Sequence, residues 1–133
     1  MSSDEIMESF TFGIEAQISR ICFDVGFHID ISDENANSLE VDLHTKFSVS
    51  RNTLIRTYTP SRFSAAGLSE LHELLWNAVV TVAITSLGTL MVDLGATVVS
   101  APCDVEFEAW TVQRADGTYF VCLPGGDVIS NIY

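Results

Sequence analysis

Histidine and carboxylate side chains are the groups in this sequence that could perform acid–base chemistry or hold a metal ion. The three histidines, His28, His44 and His72, lie in three different predicted elements. His28 is two residues from Asp30, and His44 is two residues from Asp42, so each pair shares one face of a predicted strand. Such pairs are ordinary on a polar face and do not define a catalytic dyad. We therefore expect solvated histidines rather than an acid–base site.

A second set of carboxylates occurs in the segment DVEFEAW. Asp104, Glu106 and Glu108 would share one strand face, where three carboxylates could bind a cation, although such a set is more often a solvated face. The sequence has no phosphate-binding loop, nucleophile elbow, zinc-protease motif or dinucleotide fingerprint, and LPGGD at 123–127 reads as a turn. These observations predict a protein that is not an enzyme, without catalytic residues, cofactor or metal.

The cysteines indicate free thiols. Cys22, Cys103 and Cys122 are odd in number, far apart in sequence and contain no C-x-x-C pair. The N-terminal segment MSSDEIMESF lacks the basic and apolar regions of a signal peptide. Buried thiols in a reducing compartment fit both observations, so we expect a cytoplasmic location.

Charge is the strongest signal in the composition. Eighteen acidic residues against six basic ones give a formal net charge of −12. A negative potential repels nucleic acid and anionic lipid, so no direct nucleic-acid binding is expected. It suits basic partners, imitation of nucleic acid, or simple solubility. Four of the six basic residues, Lys46, Arg51, Arg56 and Arg62, are clustered; they could offset neighbouring acids or seat an acidic or extended partner.

The first half of the chain reads as four antiparallel strands. Apolar and polar residues alternate from Phe10 to Ile18, and again in shifted phase from Ile21 to Ile31. The phase slip at Ser19–Arg20 predicts a bulge or a turn, because a one-residue shift would otherwise turn the apolar residues outward. Alternation resumes over 39–49, and TLIRTYT at 53–59 is rich in β-branched residues.

Residues 74–92 contain no charged side chain. Their length would allow a membrane span, but the flanks are Glu73 and Asp93, without the Lys or Arg that anchors and orients such a span. Ser69 can cap a helix, Gly95 can close one, and the apolar residues between them follow helical spacing. We therefore predict one long apolar helix over about 69–93 and no membrane span. A helix apolar on several sides needs a second chain or a ligand to cover it.

The last third predicts short strands. RADGT contains Asp116–Gly117, a strong hairpin signal. The predicted fold class is α+β: an antiparallel sheet of about four N-terminal strands, the long helix, and short C-terminal strands with a hairpin. At 133 residues we expect one domain over 1–133, with a flexible acidic tail over residues 1–8.

The order of these elements resembles the SecB family of export chaperones. The resemblance begins in CFDVGFHIDIS and LEVDLHTKFSV, and its most specific words are RFSAAGL at 62–68 and GATVVSAPCDVEF at 95–107. That family usually ends in a further helix, whereas this sequence ends in a predicted hairpin. The resemblance implies a SecB-like fold, assembled as a homodimer or homotetramer, with apolar grooves for unfolded chains.

The resemblance also implies a function, namely that of a chaperone that holds unfolded or partly folded polypeptide clients without catalysis and takes part in protein transport. Candidate polypeptide-binding residues, which would line the grooves, are Phe23, Phe27, Phe47, Tyr58, Phe63, Leu75 and Trp76. The alternative interpretation of these residues is that most of them are simply core.

Two other classes of function remain open: an acidic phage or mobile-element inhibitor that imitates nucleic acid, as some anti-CRISPR proteins do, and a phage structural assembly protein.

Overall fold

A computed structural model describes residues 5–12, 15–35 and 37–131. The described residues form two six-stranded antiparallel sheets and one short helix. The elements are β1 (Ile6–Phe10), β2 (Gln17–Phe23), β3 (Phe27–Ser32), β4 (Ser38–Leu43), β5 (Phe47–Arg51), β6 (Leu54–Tyr58), α1 (Ala65–His72), β7 (Thr81–Thr85), β8 (Leu90–Asp93), β9 (Thr97–Ala101), β10 (Trp110–Arg114), β11 (Tyr119–Cys122) and β12 (Val128–Asn131).

Each sheet gathers strands that are distant in sequence. Sheet A has the order β1-β7-β8-β9-β5-β6, and sheet B has the order β12-β11-β10-β4-β3-β2. In sheet A, Val82, Val92 and Val99 are paired in one row across three strands and are at most 1% exposed. Sheet B presents a similar buried row. All of these residues belong to one hydrophobic cluster, so the two sheets share a single core, as in a β-sandwich.

A short segment, residues 76–79, links the two sheets. The backbone N–H of Trp76 donates to the carbonyl of Ile18 at 2.7 Å, and the N–H of Ile18 donates to the carbonyl of Asn77 at 3.0 Å. Val80 N–H then donates to the Asp93 carbonyl of sheet A at 2.8 Å. The chain therefore covers the outer edge of β2 before it enters sheet A as β7. We call residues 76–79 the corner segment.

The predicted helix over 69–93, and with it the α+β fold class and the SecB-like fold, is wrong. The helix is Ala65–His72, and the uncharged run is mainly the hairpin β7–β8 with Gly88 in its turn. Val82, Ala83, Ile84 and Thr85 in β7 are all buried, so this strand is covered on both faces. A strand buried on both faces reads as a continuous apolar run, without the period of two that marks a half-buried strand.

The other corrections concern where elements begin and end. The predicted strand from Ile21 to Ile31 is two strands, because residues 24–26 form a turn between β2 and β3. Gly26 lies so close to β4 that an added Cβ atom would be 2.6 Å from the carbonyl oxygen of Leu43. Gly95 does not close a helix; it sits at φ +88° between β8 and β9. In the predicted tail, residues 1–4 lie outside the described residues, and Ile6 already begins β1.

Two local predictions are confirmed. The register of β2 against β3 shifts between Ile18 and Arg20, which is the bulge expected at the phase slip. The Asp116–Gly117 turn joins β10 and β11, with Arg114 N–H donating to the Thr118 carbonyl at 2.8 Å. Across the described ranges, no helix is long and apolar enough to cross a membrane.

Candidate functional site

Five of the seven predicted polypeptide-binding residues meet in one aromatic cluster, which we define as Phe23, Phe27, Phe47, Tyr58 and Phe63. The Phe27 and Phe47 rings are stacked, with centroids 5.3 Å apart and planes inclined by 7°. Tyr58 stacks on Phe47 at 5.6 Å, and Phe63 meets Phe23 edge-on at 5.5 Å. The cluster joins sheet B, through β2 and β3, to sheet A, through β5 and β6.

Burial divides these seven residues. Phe27 and Phe47 are completely buried, so they are core and do not line an open groove. Phe23, Tyr58 and Phe63 are half-buried, as is Leu75. Trp76 is 60% exposed but lies in the corner segment, and it takes part in none of the ring pairs formed by the described residues. The accessible part of the cluster therefore consists of its half-buried rings, those of Phe23, Tyr58 and Phe63.

Helix α1 is held against β6 through Glu70. Ser64 begins the helix, since its side-chain oxygen accepts a hydrogen bond from Gly67 N–H at 3.0 Å. Arg56 Nε lies 2.8 Å from Glu70 Oε2, and Tyr58 also interacts with the Glu70 carboxylate. Burial raises the pKa of Tyr58, and the charge of Glu70 raises it further.

β6 is an edge strand of sheet A, with β5 as its neighbour. Its residues Leu54 and Ile55 are 55% and 67% exposed, although both are large and apolar. Beside the strand runs an open groove of about 490 Å³ that reaches from Ile55 to Phe63 and the first turn of α1. This edge and groove therefore combine exposed aliphatic side chains with the half-buried rings of Tyr58 and Phe63.

The clustered basic residues surround the same edge. Arg56 is paired with Glu70, and Arg51 lies 4.0 Å from Glu73, so acids of the helix region offset two of the four charges. Among the described residues, Lys46 and Arg62 form no ion pair, and Arg62 lines the groove. Arg51 and Arg56 thus offset neighbouring acids, which is the first of the two roles expected for the basic residues. Lys46 and Arg62 fit the second role, in which they would seat an acidic or extended partner.

A second group of polar residues lies on the other sheet, around His28. Its Nδ1 is 2.7 Å from Asp42 Oδ1, and its Nε2 is 2.6 Å from Asp30 Oδ1 and 3.9 Å from Glu40 Oε1. Burial lowers the pKa of His28, but the hydrogen bonds and charges of Asp42 and Asp30 outweigh burial, so the pKa lies above its ordinary value of 6.5. We call these four residues the His28 cluster. It is not the solvated histidine expected from the sequence.

The sequence pattern predicted part of this cluster. His28 and Asp30 share a strand face, as period two requires. Glu40 and Asp42 face them across β3–β4, because Ser32 pairs with Ser38 and the register then places Asp30 opposite Glu40. A hairpin centred on the loop DENANS would have indicated that pairing.

The remaining candidate groups do not form a site among the described residues. Asp104, Glu106 and Glu108 precede β10 instead of sharing a strand face. Asp104 Oδ2 accepts hydrogen bonds from the backbone N–H groups of Glu106 at 2.8 Å and Phe107 at 3.0 Å, which makes this a local turn. Burial, with Cys103 and Asp127 nearby, raises the pKa of Cys122 to about 11, so this thiol is a poor nucleophile.

The sequence of the chain also shows its family. The model of the family described as "Family of unknown function (DUF6188)" matches residues 14–130. This chain belongs to the DUF6188 family. Curated proteins and solved structures gave no significant match. The DUF6188 match begins before β2 and ends within β12, so it includes both the β6 groove and the His28 cluster, whereas β1 precedes it.

Proposed function

We propose that this chain binds an extended segment of another polypeptide along β6, without catalysing a reaction on it. The observation that carries the proposal is an edge strand with exposed aliphatic residues beside an open groove. An edge strand presents a row of backbone N–H and C=O groups to which an added strand can hydrogen-bond. Backbone bonds of this kind do not depend on the partner's sequence.

The side chains around β6 add apolar contacts to that backbone pairing. Ile55 and Thr57 lie on one face of the strand, while Tyr58 lies on the other, beside Phe63. An added strand would place alternate side chains on these two faces. Apolar side chains would pack on Ile55 and on the half-buried rings. Arg62, in the same groove, favours a partner with a carboxylate at that position.

The holdase activity that the SecB resemblance implies is one form of this proposal. Unfolded chains expose extended apolar segments, which suit an edge strand better than they suit the fully buried Phe27 and Phe47. The predicted homodimer or homotetramer is another form, in which β6 of a second copy supplies the added strand. Both uses require the same edge to be open.

Aggregation of a denatured model protein, followed by light scattering with and without this chain, tests the proposal. We expect suppression by the wild type, and loss of suppression in Ile55→Glu, because a charge on the edge opposes an added apolar strand. A loss of about 1.4 kcal/mol in binding would raise the amount required about tenfold. Ile129→Glu is the matched control, since Ile129 is also exposed on an edge strand, β12 of sheet B.

Two results would contradict the proposal. If Ile129→Glu and Ile55→Glu weaken suppression equally, β6 has no special role. If the wild type fails to suppress aggregation even in excess, binding of unfolded polypeptide at β6 is excluded. Trp76→Ser tests whether the surface extends to the corner segment, and we expect this variant to keep its activity.

A further inference from the structure

We propose that His28, Asp30 and Glu40 form a binding site for a divalent zinc ion on the outer face of sheet B. This site is separate from the β6 groove and does not depend on the function proposed above. It rests on three ligand atoms of two chemical kinds that converge on one position: the Nε2 nitrogen of His28 and one carboxylate oxygen each from Asp30 and Glu40. These three atoms all lie within 4.8 Å of one another.

The β3–β4 register places the ligands. Asp30 is directly opposite Glu40, and His28 is directly opposite Asp42, so the four residues form a two-by-two block on one face of the sheet. The side chains of His28 and Asp30 are 18% and 22% exposed, while that of Glu40 is 53% exposed. Paired strands are rigid supports for a metal site compared with loops. The open side at Glu40 gives an ion access from solvent.

Asp42 orients the ligand nitrogen. Its Oδ1 lies 2.7 Å from His28 Nδ1, which fixes the ring so that Nε2 points toward Asp30 and Glu40. A histidine that binds a metal through one nitrogen usually donates the N–H of the other to a carboxylate, which fixes the tautomer and makes the ligand more basic. Asp42 is in the position of that carboxylate.

The charge and ligand types favour zinc. Asp30, Glu40 and Asp42 carry three negative charges, and the guanidinium of Arg20, 3.5 Å from Asp30 Oδ2, carries one positive charge. The net charge around a neutral His28 imidazole is therefore −2. A divalent cation neutralises that charge. Calcium and magnesium prefer sites made only of oxygen, whereas zinc binds imidazole nitrogen together with carboxylate oxygen. Three protein ligands leave the fourth tetrahedral position for water or a ligand.

Binding requires small adjustments of two ligands, because Glu40 Oε1, which is 3.9 Å from His28 Nε2, has to move closer while Asp30 moves away. Nε2 of His28 and Oδ1 of Asp30 are 2.6 Å apart, which is a hydrogen-bond distance, whereas two ligands of a tetrahedral zinc ion are about 3.4 Å apart. The ion replaces the proton between these two atoms, and that proton leaves to solvent. Asp30 then moves back by about 1 Å or less, on the scale of a side-chain rotation.

Isothermal titration of the chelator-treated full chain with zinc chloride tests the site. We expect one zinc ion per chain and at least tenfold weaker binding of magnesium and calcium. His28→Gln should abolish the binding, and Glu40→Gln should weaken it. Asp42→Asn should weaken it by about 10- to 100-fold, as is typical when the carboxylate behind a ligating histidine is lost. His72→Gln, which alters a histidine of α1, is the matched control and should bind as the wild type does.

The results separate a built site from chance binding. Circular dichroism shows whether each variant is folded. If His28→Gln unfolds, Glu40→Gln still tests the site, because the Glu40 side chain is half-exposed and its substitution should leave the fold intact. Zinc binding that persists unchanged in Glu40→Gln and Asp42→Asn would overturn the proposal. So would the absence of binding to the wild type, or an equal loss of binding in His72→Gln.

Discussion

Gly88, in the turn between β7 and β8, occupies a position that excludes any side chain. Its φ is +85°, and an added Cβ atom would lie 2.6 Å from the carbonyl oxygen of Gly126 in the turn between β11 and β12. The carbonyl oxygen of Gly88 also accepts a hydrogen bond from Trp110 Nε1 at 2.9 Å. The missing side chain therefore lets a turn of sheet A rest directly on a turn of sheet B.

We expect Gly88→Ala to lower the free energy of unfolding by about 3 kcal/mol, measured by urea denaturation. Positive φ costs an alanine about 1 kcal/mol, and the clash with backbone adds about 1 to 3 kcal/mol. Gly95→Ala is the matched control: its φ is +88°, but nothing lies within 4 Å of the added Cβ, so about 1 kcal/mol is expected. Equal losses in the two variants would show that the Gly126 contact does not matter.

The candidate residues show what sequence can and cannot indicate at this scale. Period two places His28 and Asp30 on one face, but Glu40 and Asp42 join them only through the β3–β4 register. Alternation likewise marks Phe27 and Phe47 as inward-facing without showing whether the inner face is core or groove. The structure places both rings between the sheets, where they are fully buried. That distinction depends on which strands pair, which is a property of the whole chain.

Helix α1 depends on its N-terminal cap, Ser64, more than on intrinsic propensity. It has eight residues, a length at which an isolated helix is marginal in water. Ser64 begins it by accepting the Gly67 N–H, whereas Ser69, which the sequence favoured as the cap, is an exposed residue inside the helix. The apolar residues of the uncharged run 74–92 follow helical spacing, and this placed the predicted helix start at Ser69 instead of Ser64.

We expect Ser64→Ala to lower the free energy of unfolding by about 1 kcal/mol, because one N–H at the start of the helix loses its acceptor. Thermal or urea denaturation followed by circular dichroism measures the change. Ser69→Ala serves as the comparison, and its effect should be about zero or slightly stabilising, since alanine is the better helix former. A larger loss in Ser69→Ala than in Ser64→Ala would be inconsistent with the observed helix start.

The hairpin β7–β8 explains why the long uncharged run was misread. Half-exposed strands such as β3 and β4 show their alternation plainly, and the Ser19–Arg20 bulge and the Asp116–Gly117 turn were predicted from local pattern. β7 lies between β1 and β8 and is buried on both faces, so it carries no such pattern. Its Val, Ile and Thr residues favour a strand. The prediction gave more weight to the helical spacing of the apolar residues, although this spacing occurs here in a segment that is not a helix.

At the scale of the whole molecule, charge is the dominant feature. The net charge of −12 comes from eighteen acids against six bases, and two of those bases are engaged with acids of the α1 region. Carboxylates that repel one another across the surface destabilise the compact state. A two-sheet fold with a shared core can tolerate this repulsion, because the buried rows of valine supply apolar contact away from the surface.

We expect sodium chloride to stabilise the chain against urea. The screening length falls from about 30 Å at 0.01 M to about 8 Å at 0.15 M salt, so repulsion among the surface carboxylates decreases and the midpoint of unfolding rises. Potassium chloride should act equally, which would separate screening from specific ion binding. A midpoint that falls with either salt would indicate that ion pairs, not repulsion, dominate the surface.

The corner segment has a mechanical consequence for the molecule. Residues 76–79 are hydrogen-bonded to β2 and to Ala16 just before it, and the chain continues directly into β7. A pull on sheet B therefore reaches sheet A first through these hydrogen bonds and then through the covalent chain. The backbone of the corner segment thus joins the two sheets along that side. Slippage of one sheet over the other, or peeling of β2 from its edge, would first have to break the bonds to Trp76, Asn77 and Val79. The two layers consequently behave as one body, and heat should melt them in a single cooperative step.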